Sequence, residues 1–235
     1  MSAPDYGPRG RFGLLTPQAN PTVEPEFRRL MPEGVELYVA RSTSRGTDPR
    51  TRLVEYLETL PQTLAQFDTL RLRAVAFACT GSSYLLGAAR EAALVRAAED
   101  ACGAPVETAA RAILRALEHV GARRLFVVSP YPAWLRDAGV GYWRAAGLDV
   151  TGTADVPTPP VGDRPDTRGI YELQGTNAAA ALAGLDSRGA DAILLSGTGM
   201  PTLAVLRAHG GGRPALLSSN LCLAWRLHRH VEGWQ

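Results

Sequence analysis

One stretch of the sequence decides the fold: A-V-A-F-A-C-T-G-S-S, from Ala74 to Ser83. It begins as an apolar run of strand length that ends at Cys79, and small polar residues follow, with a helical pattern from Leu85 to Ala101. This order predicts a buried strand of a parallel sheet whose carboxyl end opens into a loop and a helix. Ligands of open α/β sheets bind outside the carboxyl ends of the strands, so Cys79 stands where a site is expected.

The residues after Cys79 suit a negatively charged group. Thr80, Gly81 and Ser82 offer hydroxyls and backbone amides at the start of the following helix, and a helix N-terminus favours an anion. A thiol in that position is expected to have a lowered pKa and to be a better nucleophile. The alternative interpretation is that Cys79 is a small core residue, as most intracellular cysteines are.

Composition narrows the function classes. The chain has 235 residues, of which 46% are hydrophobic, enough for one large domain or two small ones with a real core. The net charge is only +2, and the basic residues are spread along the chain, so no nucleic-acid partner is expected. All 25 basic residues are arginine. Pyridoxal phosphate enzymes and P-loops both need a lysine, so both classes are excluded within this chain.

The N-terminus and the cysteines indicate a cytoplasmic protein. Residues 1–10 are polar and rich in proline and glycine, and we expect a flexible tail without a signal-peptide core. No apolar run reaches membrane-spanning length, so no membrane partner is expected. Cys79, Cys102 and Cys222 lack the spacing of a metal site or of a disulfide framework. We therefore expect no metal and no cofactor, with Cys102 and Cys222 buried and inert.

An internal repeat divides the chain into two similar halves. L-L-T-P at residues 14–17 corresponds to V-V-S-P at 127–130, and A-C-T-G at 78–81 corresponds to S-G-T-G at 196–199. Each half alternates four predicted strands with helices. The pattern predicts an α/β fold of two pseudo-symmetric lobes, each a four-stranded parallel sheet flanked by helices.

The repeat also predicts the domain boundaries. We expect lobe 1 to comprise residues 11–107 and 217–235, and lobe 2 to comprise residues 108–216, with the last strand and helix returning to lobe 1. Interfaces between lobes are common ligand sites, so the active site is expected in the cleft between them. Cys79 and Gly197 would then lie across that cleft from each other.

These motifs resemble the Asp/Glu racemase superfamily, and within it the branch of maleate cis–trans isomerase and arylmalonate decarboxylase. The resemblance covers nearly the whole chain after residue 10 and follows the order of the repeat. The stretches that carry it are G-L-L-T-P-Q-A-N-P-T-V-E-P-E-F at 13–27, A-C-T-G-S-S at 78–83, S-P-Y at 129–131, D-A-I-L-L-S-G-T-G-M-P-T-L at 191–203 and S-S-N-L-C-L-A-W at 218–225.

The resemblance implies a catalytic cysteine at the equivalent strand end of each lobe. The first is present as Cys79, whereas the second position is Gly197. Tyr131 is implied as a catalytic neighbour of Cys79, and Asn177 as an asparagine of the family pattern. Contacts to a substrate carboxylate would fall on Asn20, Thr80, Gly81, Ser82, Gly197 and Thr198. Three more residues near the second strand could reach an acidic substrate, although arginines are usually exposed: Arg41, Arg45 and Arg50.

A single catalytic thiol restricts the reaction. Racemisation needs an acid and a base on opposite faces of the carbon, and Gly197 offers neither. Cis–trans isomerisation of a small unsaturated dicarboxylate needs one nucleophile, which adds, allows rotation and leaves. We therefore expect an isomerase similar to maleate isomerase, acting through Cys79. The alternatives are a decarboxylase in which Cys79 donates a proton, or a degenerate member that only binds a small carboxylic acid. A homo-oligomer is compatible with the sequence.

Overall fold

A computed structural model describes residues 4–161 and 166–231 of the chain. Strands and helices alternate through both halves. The first half contains β1 (Gly10–Pro17), α1 (Val23–Leu30), β2 (Val35–Ser42), α2 (Pro49–Glu58), α3 (Leu60–Leu64), β3 (Ala74–Phe77), α4 (Thr80–Cys102), β4 (Val106–Thr108) and α5 (Ala109–His119). The second half contains β5 (Arg124–Ser129), α6 (Ala133–Ala145), β6 (Asp149–Asp155), α7 (Gly175–Leu182), β7 (Ala192–Leu195), α8 (Leu203–His209), β8 (Ala215–Ser218) and α9 (Ser219–His228). Short 3₁₀ turns cover Ala65–Phe67 and Thr167–Glu172.

The strands form two separate four-stranded sheets with the same topology. Their orders are β2-β1-β3-β4 and β6-β5-β7-β8, and every neighbouring pair is parallel. The apolar runs of β3 and β7 are buried throughout, as expected for inner strands covered on both faces. The predicted fold of two pseudo-symmetric lobes is therefore confirmed. Because the strands are parallel, their carboxyl ends lie on one edge of each sheet, where loops can form a site.

One part of the predicted architecture is wrong. We expected the last strand and helix to return to lobe 1, but β8 pairs in parallel with β7 and completes the second sheet. Only α9 crosses over, where it packs against α5, α1, β3 and β4. The repeat itself explains the difference, since four strands in the second sheet require β8.

The two lobes share one hydrophobic core. A continuous cluster of buried side chains includes Phe12 and Phe77 from the first half and Leu125 and Trp143 from the second. Burying one such side chain contributes about 1.5–3 kcal/mol. A second cluster around Phe126 lies in the second half alone. Packing between the lobes thus holds the two sheets in a fixed relation. No helix among the described residues combines the length and the apolar character needed to cross a membrane.

Candidate active site

Cys79 lies two residues beyond the end of β3 and is the N-cap residue of α4. Its side chain is only 3% exposed. Its Sγ lies 3.2 Å from Ser82 Oγ, and the backbone amides of Gly81 and Ser82 are directed at it. The helix begins at Thr80, five residues earlier than its apolar pattern suggested, so these amides belong to its first turn. The helix bends at Gly87, where φ is +74°, a conformation that glycine adopts without strain.

The expected lowering of the Cys79 pKa is wrong. Burial disfavours the thiolate and raises the pKa above its ordinary value of 9.0, although the hydrogen bonds from Ser82 and from the Gly81 amide act in the opposite direction. The Ser82 hydroxyl also lies 2.6 Å from the Leu53 carbonyl, so its single proton has two acceptors, this carbonyl and Sγ. The raised pKa makes Cys79 a neutral thiol at rest.

Hydroxyl groups surround Cys79 on the side of lobe 2. Thr80 Oγ1 and Tyr131 OH lie 2.9 Å apart, so the predicted pair of site residues is brought together across the lobes. Burial, followed by the nearby Cys79, raises the Tyr131 pKa well above its ordinary value, which keeps the phenol protonated as a hydrogen-bond donor. The Tyr84 ring meets the Tyr131 ring edge-on, with centroids 6.3 Å apart, and its OH lies 2.9 Å from Ser196 Oγ.

A second polar group joins Asn20 to the lobe 2 loop. Asn20 Nδ2 donates to Thr198 Oγ1 over 3.3 Å, and Thr198 Oγ1 donates to the Ala78 carbonyl over 2.8 Å. The Asn20 Oδ1 atom accepts the Thr22 amide at 2.9 Å, which fixes the orientation of the side chain. Asn20 and Thr198 are thus placed together at the residue preceding Cys79, as the sequence led us to expect.

Glu26 stabilises the loop that carries Thr198, a role that no pattern in the sequence predicted. Its buried carboxylate accepts the amides of Thr202 at 2.6 Å and Leu203 at 3.1 Å at the start of α8. It also accepts Asn220 Nδ2 at 2.7 Å, and that same amide donates to the Thr198 carbonyl. A lobe 1 glutamate therefore fixes the lobe 2 loop. A glutamate in an exposed-looking helical pattern carries no signal of this role.

Gly197 does not simply lack a side chain; its surroundings exclude one. Its φ is +96°, and a Cβ added there would lie 2.8 Å from Ile170 Cδ1 and 3.4 Å from the Tyr131 ring. Ile170 thus occupies the volume next to the position where the family's second cysteine is expected. The Gly197 amide, predicted to contact substrate, donates to Ser219 Oγ at 3.0 Å. The atoms that a Cβ at Gly197 would meet are therefore carbon atoms of Ile170, Pro130 and Tyr131.

Three other residues named from the sequence have partners within the protein: Asn177, Arg41 and Arg50. Asn177 accepts the Gln174 amide at 2.8 Å and caps α7, so it serves the helix rather than the site. Arg41 pairs with Glu24 and donates to the Asn20 carbonyl, whereas Arg50 lies over the Trp134 ring at 4.2 Å.

Cys222 is buried as predicted, but Cys102 is only half-buried.

Arg52 is the arginine that the structure brings to the cleft. It is 3% exposed, and its Nη2 lies 2.6 Å from the Asp166 carboxylate of the opposite half. The carbonyl of the next residue, Leu53, accepts a hydrogen bond from Ser82 Oγ, and Ser82 contacts Cys79. Arg52 therefore lies one residue from a residue linked to Cys79. Four arginines cluster between Arg41 and Arg52 in the sequence, and nothing in the pattern marks this one as buried.

The described part of the chain contains no group of three or more His, Cys, Asp or Glu side chains that could hold a metal ion. The chemistry available at the site is that of one thiol, three or four hydroxyls, an asparagine amide and helix-terminal amides. Such donors bind and polarise a carboxylate, and the thiol can act as nucleophile or acid.

Comparison with known proteins identifies related chains. Maleate isomerase from Pseudomonas putida is 24% identical over 216 residues, covering 86% of this chain and 84% of that protein. The fold superposes with a TM-score of 0.81 on a Nocardia farcinica maleate cis–trans isomerase mutant that carries a covalently bound succinylcysteine intermediate, at 21% identity, covering 94% of this chain and 92% of that one. It superposes with a TM-score of 0.75 on arylmalonate decarboxylase, at 20% identity, covering 96% and 94% of the two chains.

A family model covers nearly the whole chain. The model describes arylmalonate decarboxylase and matches residues 12–233, which include both sheets and every residue of the site described above. Its relatives include isomerases and decarboxylases that share this two-lobed fold. The chain therefore belongs to the arylmalonate decarboxylase family.

Proposed function

We propose that this protein is a cofactor-independent isomerase of a small unsaturated dicarboxylate, with Cys79 as the nucleophile. The observation that carries the proposal is the buried Cys79 thiol next to polar groups that can bind a carboxylate. Thr80 and Tyr131 form one pair of hydroxyls, and Asn20 and Thr198 form a second polar group at Ala78, the residue before Cys79. A thiol beside such groups suits a substrate whose double bond is conjugated with a carboxylate.

The chemistry needs one thiol. Cys79 gives its proton to water, Sγ then adds to one alkene carbon, and the π electrons move into the adjacent carboxylate to give an enediolate. The former double bond is then single and rotates. The electrons return, the carbon–sulfur bond breaks, and Cys79 is released as a thiolate with the trans alkene. The donors around the site stabilise the charge that develops on the carboxylate, a contribution of several kcal/mol in other enzymes (about 2.7–4 kcal/mol for one donor).

Two relatives support this route. The Pseudomonas putida relative is a maleate isomerase. The Nocardia farcinica structure is that of a cysteine-to-serine mutant, and it holds a covalently bound succinylcysteine intermediate. Addition to a thiol therefore proceeds there with one cysteine fewer. Since Gly197 stands at the second position of this chain, Cys79 would work under a similar restriction.

A second function is favoured by a specific observation. Ile170 provides apolar surface beside Gly197, and the raised pKa keeps Cys79 protonated. A carboxylate leaving into an apolar region, followed by proton transfer from a neutral thiol to the enediolate, is the decarboxylation of a substituted malonate. Cys79 would protonate the face opposite to the one used by a decarboxylase with its cysteine in lobe 2.

Proton NMR separates these functions in one experiment. The full chain is mixed with maleate in one sample and with phenylmalonate in another, with Cys79→Ala as the matched control. We expect the maleate vinyl signal to be replaced by the fumarate signal in the wild type only. Conversion of phenylmalonate to phenylacetate would instead support the decarboxylase. If neither compound changes while both bind, the protein is a carboxylate-binding member of the family, and the isomerase proposal is wrong.

A further inference from the structure

A charged cluster joins the two halves of the chain near Cys79. It consists of Arg52 on α2 and of Asp166 and Arg168 next to and within the 3₁₀ turn of the second half. Arg52 Nη2 lies 2.6 Å from one oxygen of Asp166, and Arg168 Nη2 lies 2.9 Å from the other. The Arg168 amide also donates to Asp166 at 2.9 Å. One carboxylate thus orders two guanidinium groups from opposite lobes.

Contacts on both sides place this cluster at the active site. On the lobe 1 side, Arg52 precedes Leu53, whose carbonyl lies 2.6 Å from Ser82 Oγ, which in turn contacts Cys79. On the lobe 2 side, the turn continues into Ile170 and Tyr171, which lie against Gly197 and Gly199. The segment from Asp166 to Tyr171 therefore spans from the lobe 2 loop to the helix beside the thiol.

Among the described residues, the cluster carries a net positive charge. Two guanidinium groups face one carboxylate, so the three side chains together have a charge of +1. Burial opposes ionisation of Asp166, but the hydrogen bonds from Arg168 and the charge of Arg52 outweigh it and lower the pKa, so the carboxylate is charged at neutral pH. In the part of the chain that the structure describes, Tyr56 and Tyr171 are titratable neighbours, and burial raises the pKa of both, Tyr56 to about 12, so neither supplies a compensating charge.

One donor of the cluster is without a partner. Arg168 Nε is buried and has no hydrogen-bond acceptor among the described residues. A buried N–H on a charged group that lacks an acceptor is costly, and such groups are usually satisfied by a ligand or by water. The Arg168 side chain as a whole is 39% exposed, so a small molecule can reach its guanidinium group from solvent.

We infer that Arg168, held by Asp166 together with Arg52, binds a second anionic group of the substrate and selects dianionic over monoanionic acids. This inference rests on the proposed function: the donors at Thr80, Tyr131, Asn20 and Thr198 take the carboxylate next to the reacting carbon. The planar guanidinium takes the distal carboxylate, which it can bind through two parallel hydrogen bonds. Arg52 is a positioning residue, since Asp166 stands between it and the ligand.

Binding of two unreactive acids of equal chain length tests the inference. Isothermal titration calorimetry compares succinate, with two carboxylates, and butyrate, with one, on the full chain and on Arg168→Met. We expect the wild type to bind succinate more tightly, and Arg168→Met to weaken succinate about ten-fold or more while leaving butyrate within about two-fold. Arg168→Lys should keep part of the preference because it keeps the charge, and Arg144→Met, on the exposed face of α6, should change neither affinity.

The outcomes separate this inference from the proposed function. If both acids bind the wild type with equal affinity, or if Arg168→Met weakens both equally, Arg168 does not select the second anion, and the inference is wrong while the isomerase proposal stands. If neither acid binds the wild type, the site does not take small carboxylic acids, and both are wrong. Circular dichroism of each variant confirms that a lost affinity reflects the site rather than unfolding.

Discussion

The two lobes end equivalent strands in two different ways. In lobe 1, the loop after β3 places the Cys79 thiol beside the first-turn amides of α4. In lobe 2, the loop after β7 places Gly197 at the same point, with φ of +96° and with Ile170 against it. The two sheets share one topology. The end of β3 is followed by a thiol, whereas the end of β7 is followed by a glycine that lies against the Ile170 side chain.

The difference assigns separate tasks to the halves. Lobe 1 supplies the thiol and the Thr80 hydroxyl, whereas lobe 2 supplies Tyr131, Thr198 and the segment with Arg168. Many hydrogen bonds cross between the halves, among them Asn20 to Thr198 and Glu26 to Thr202. Hydrogen bonds from lobe 1 thus hold the loop after β7 in place, although glycine is the residue at its strand end.

Removing the thiol is expected to give the largest effect. Cys79→Ala should lower kcat by more than about 100-fold, because it removes the group that forms or protonates the reacting bond. The fold should remain, since alanine leaves a small side chain at the N-cap. Steady-state kinetics on the substrate found by NMR measures the loss. Cys102→Ala, a cysteine outside the site, is the matched control and should retain wild-type kcat.

The pH dependence of kcat distinguishes the two chemical roles of Cys79. Because burial raises the thiol pKa, the thiolate is a minor species at neutral pH and increases about ten-fold per pH unit below that pKa. An isomerase that uses the thiolate should therefore become faster from pH 7 to 9. A decarboxylase that uses the protonated thiol should show a level rate over that range and slow only above the pKa. A level profile for maleate turnover would contradict the nucleophilic role.

Adding a side chain at Gly197, after β7, tests whether this strand end has room for one. Gly197→Ala should lower the free energy of unfolding by about 1–3 kcal/mol, because the backbone has positive φ and Ile170 Cδ1 leaves no room for a Cβ. Urea unfolding measures the change. Combining the substitution with Ile170→Ala should remove the steric part only, so the two changes should be non-additive. Additive losses would show that Ile170 does not restrict position 197.

Neutralising Glu26 is expected to have a smaller effect on activity. Glu26→Gln replaces one carboxylate oxygen by an amide that faces donors, which should cost about 1–3 kcal/mol of stability and raise KM more than it lowers kcat. The control on the same helix is Glu24→Gln, at a partly exposed ion pair with Arg41, for which we expect less than about 1 kcal/mol. Equal effects of the two substitutions would mean that the lobe 2 loop does not depend on Glu26.

The sequence sufficed for the parts that depend on local pattern. The repeat predicted two parallel sheets, and the apolar run from Ala74 predicted the strand that leads to Cys79. The resemblance to a known family also named Thr80, Tyr131, Asn20 and Thr198 as residues of one site, without the contacts between them. The parts that it missed depend on distance in space: Arg52 and Asp166 are 114 residues apart, and Glu26 lies 176 residues from Thr202.

The Cys79 pKa shows why local reasoning fails for electrostatics. The helix N-terminus was predicted from the sequence, and the amides are present. The burial of Cys79 could not be predicted, because packing of both lobes around the thiol produces it. Its effect on the pKa outweighs that of the amide hydrogen bonds. The same limit applies to Gly197, where the sequence shows the glycine but not the Ile170 side chain that lies against it.

Substrate protection of Cys79 tests most directly that this thiol lies in a site for carboxylic acids. The full chain is treated with iodoacetamide, with and without saturating succinate, and the labelled peptides are quantified by mass spectrometry over time. Cys102 in the same sample serves as the internal control, since it is half-buried and outside the cleft. The account predicts that succinate slows labelling of Cys79 at least several-fold and leaves Cys102 unchanged. Labelling of Cys79 at the same rate with and without saturating succinate would contradict it.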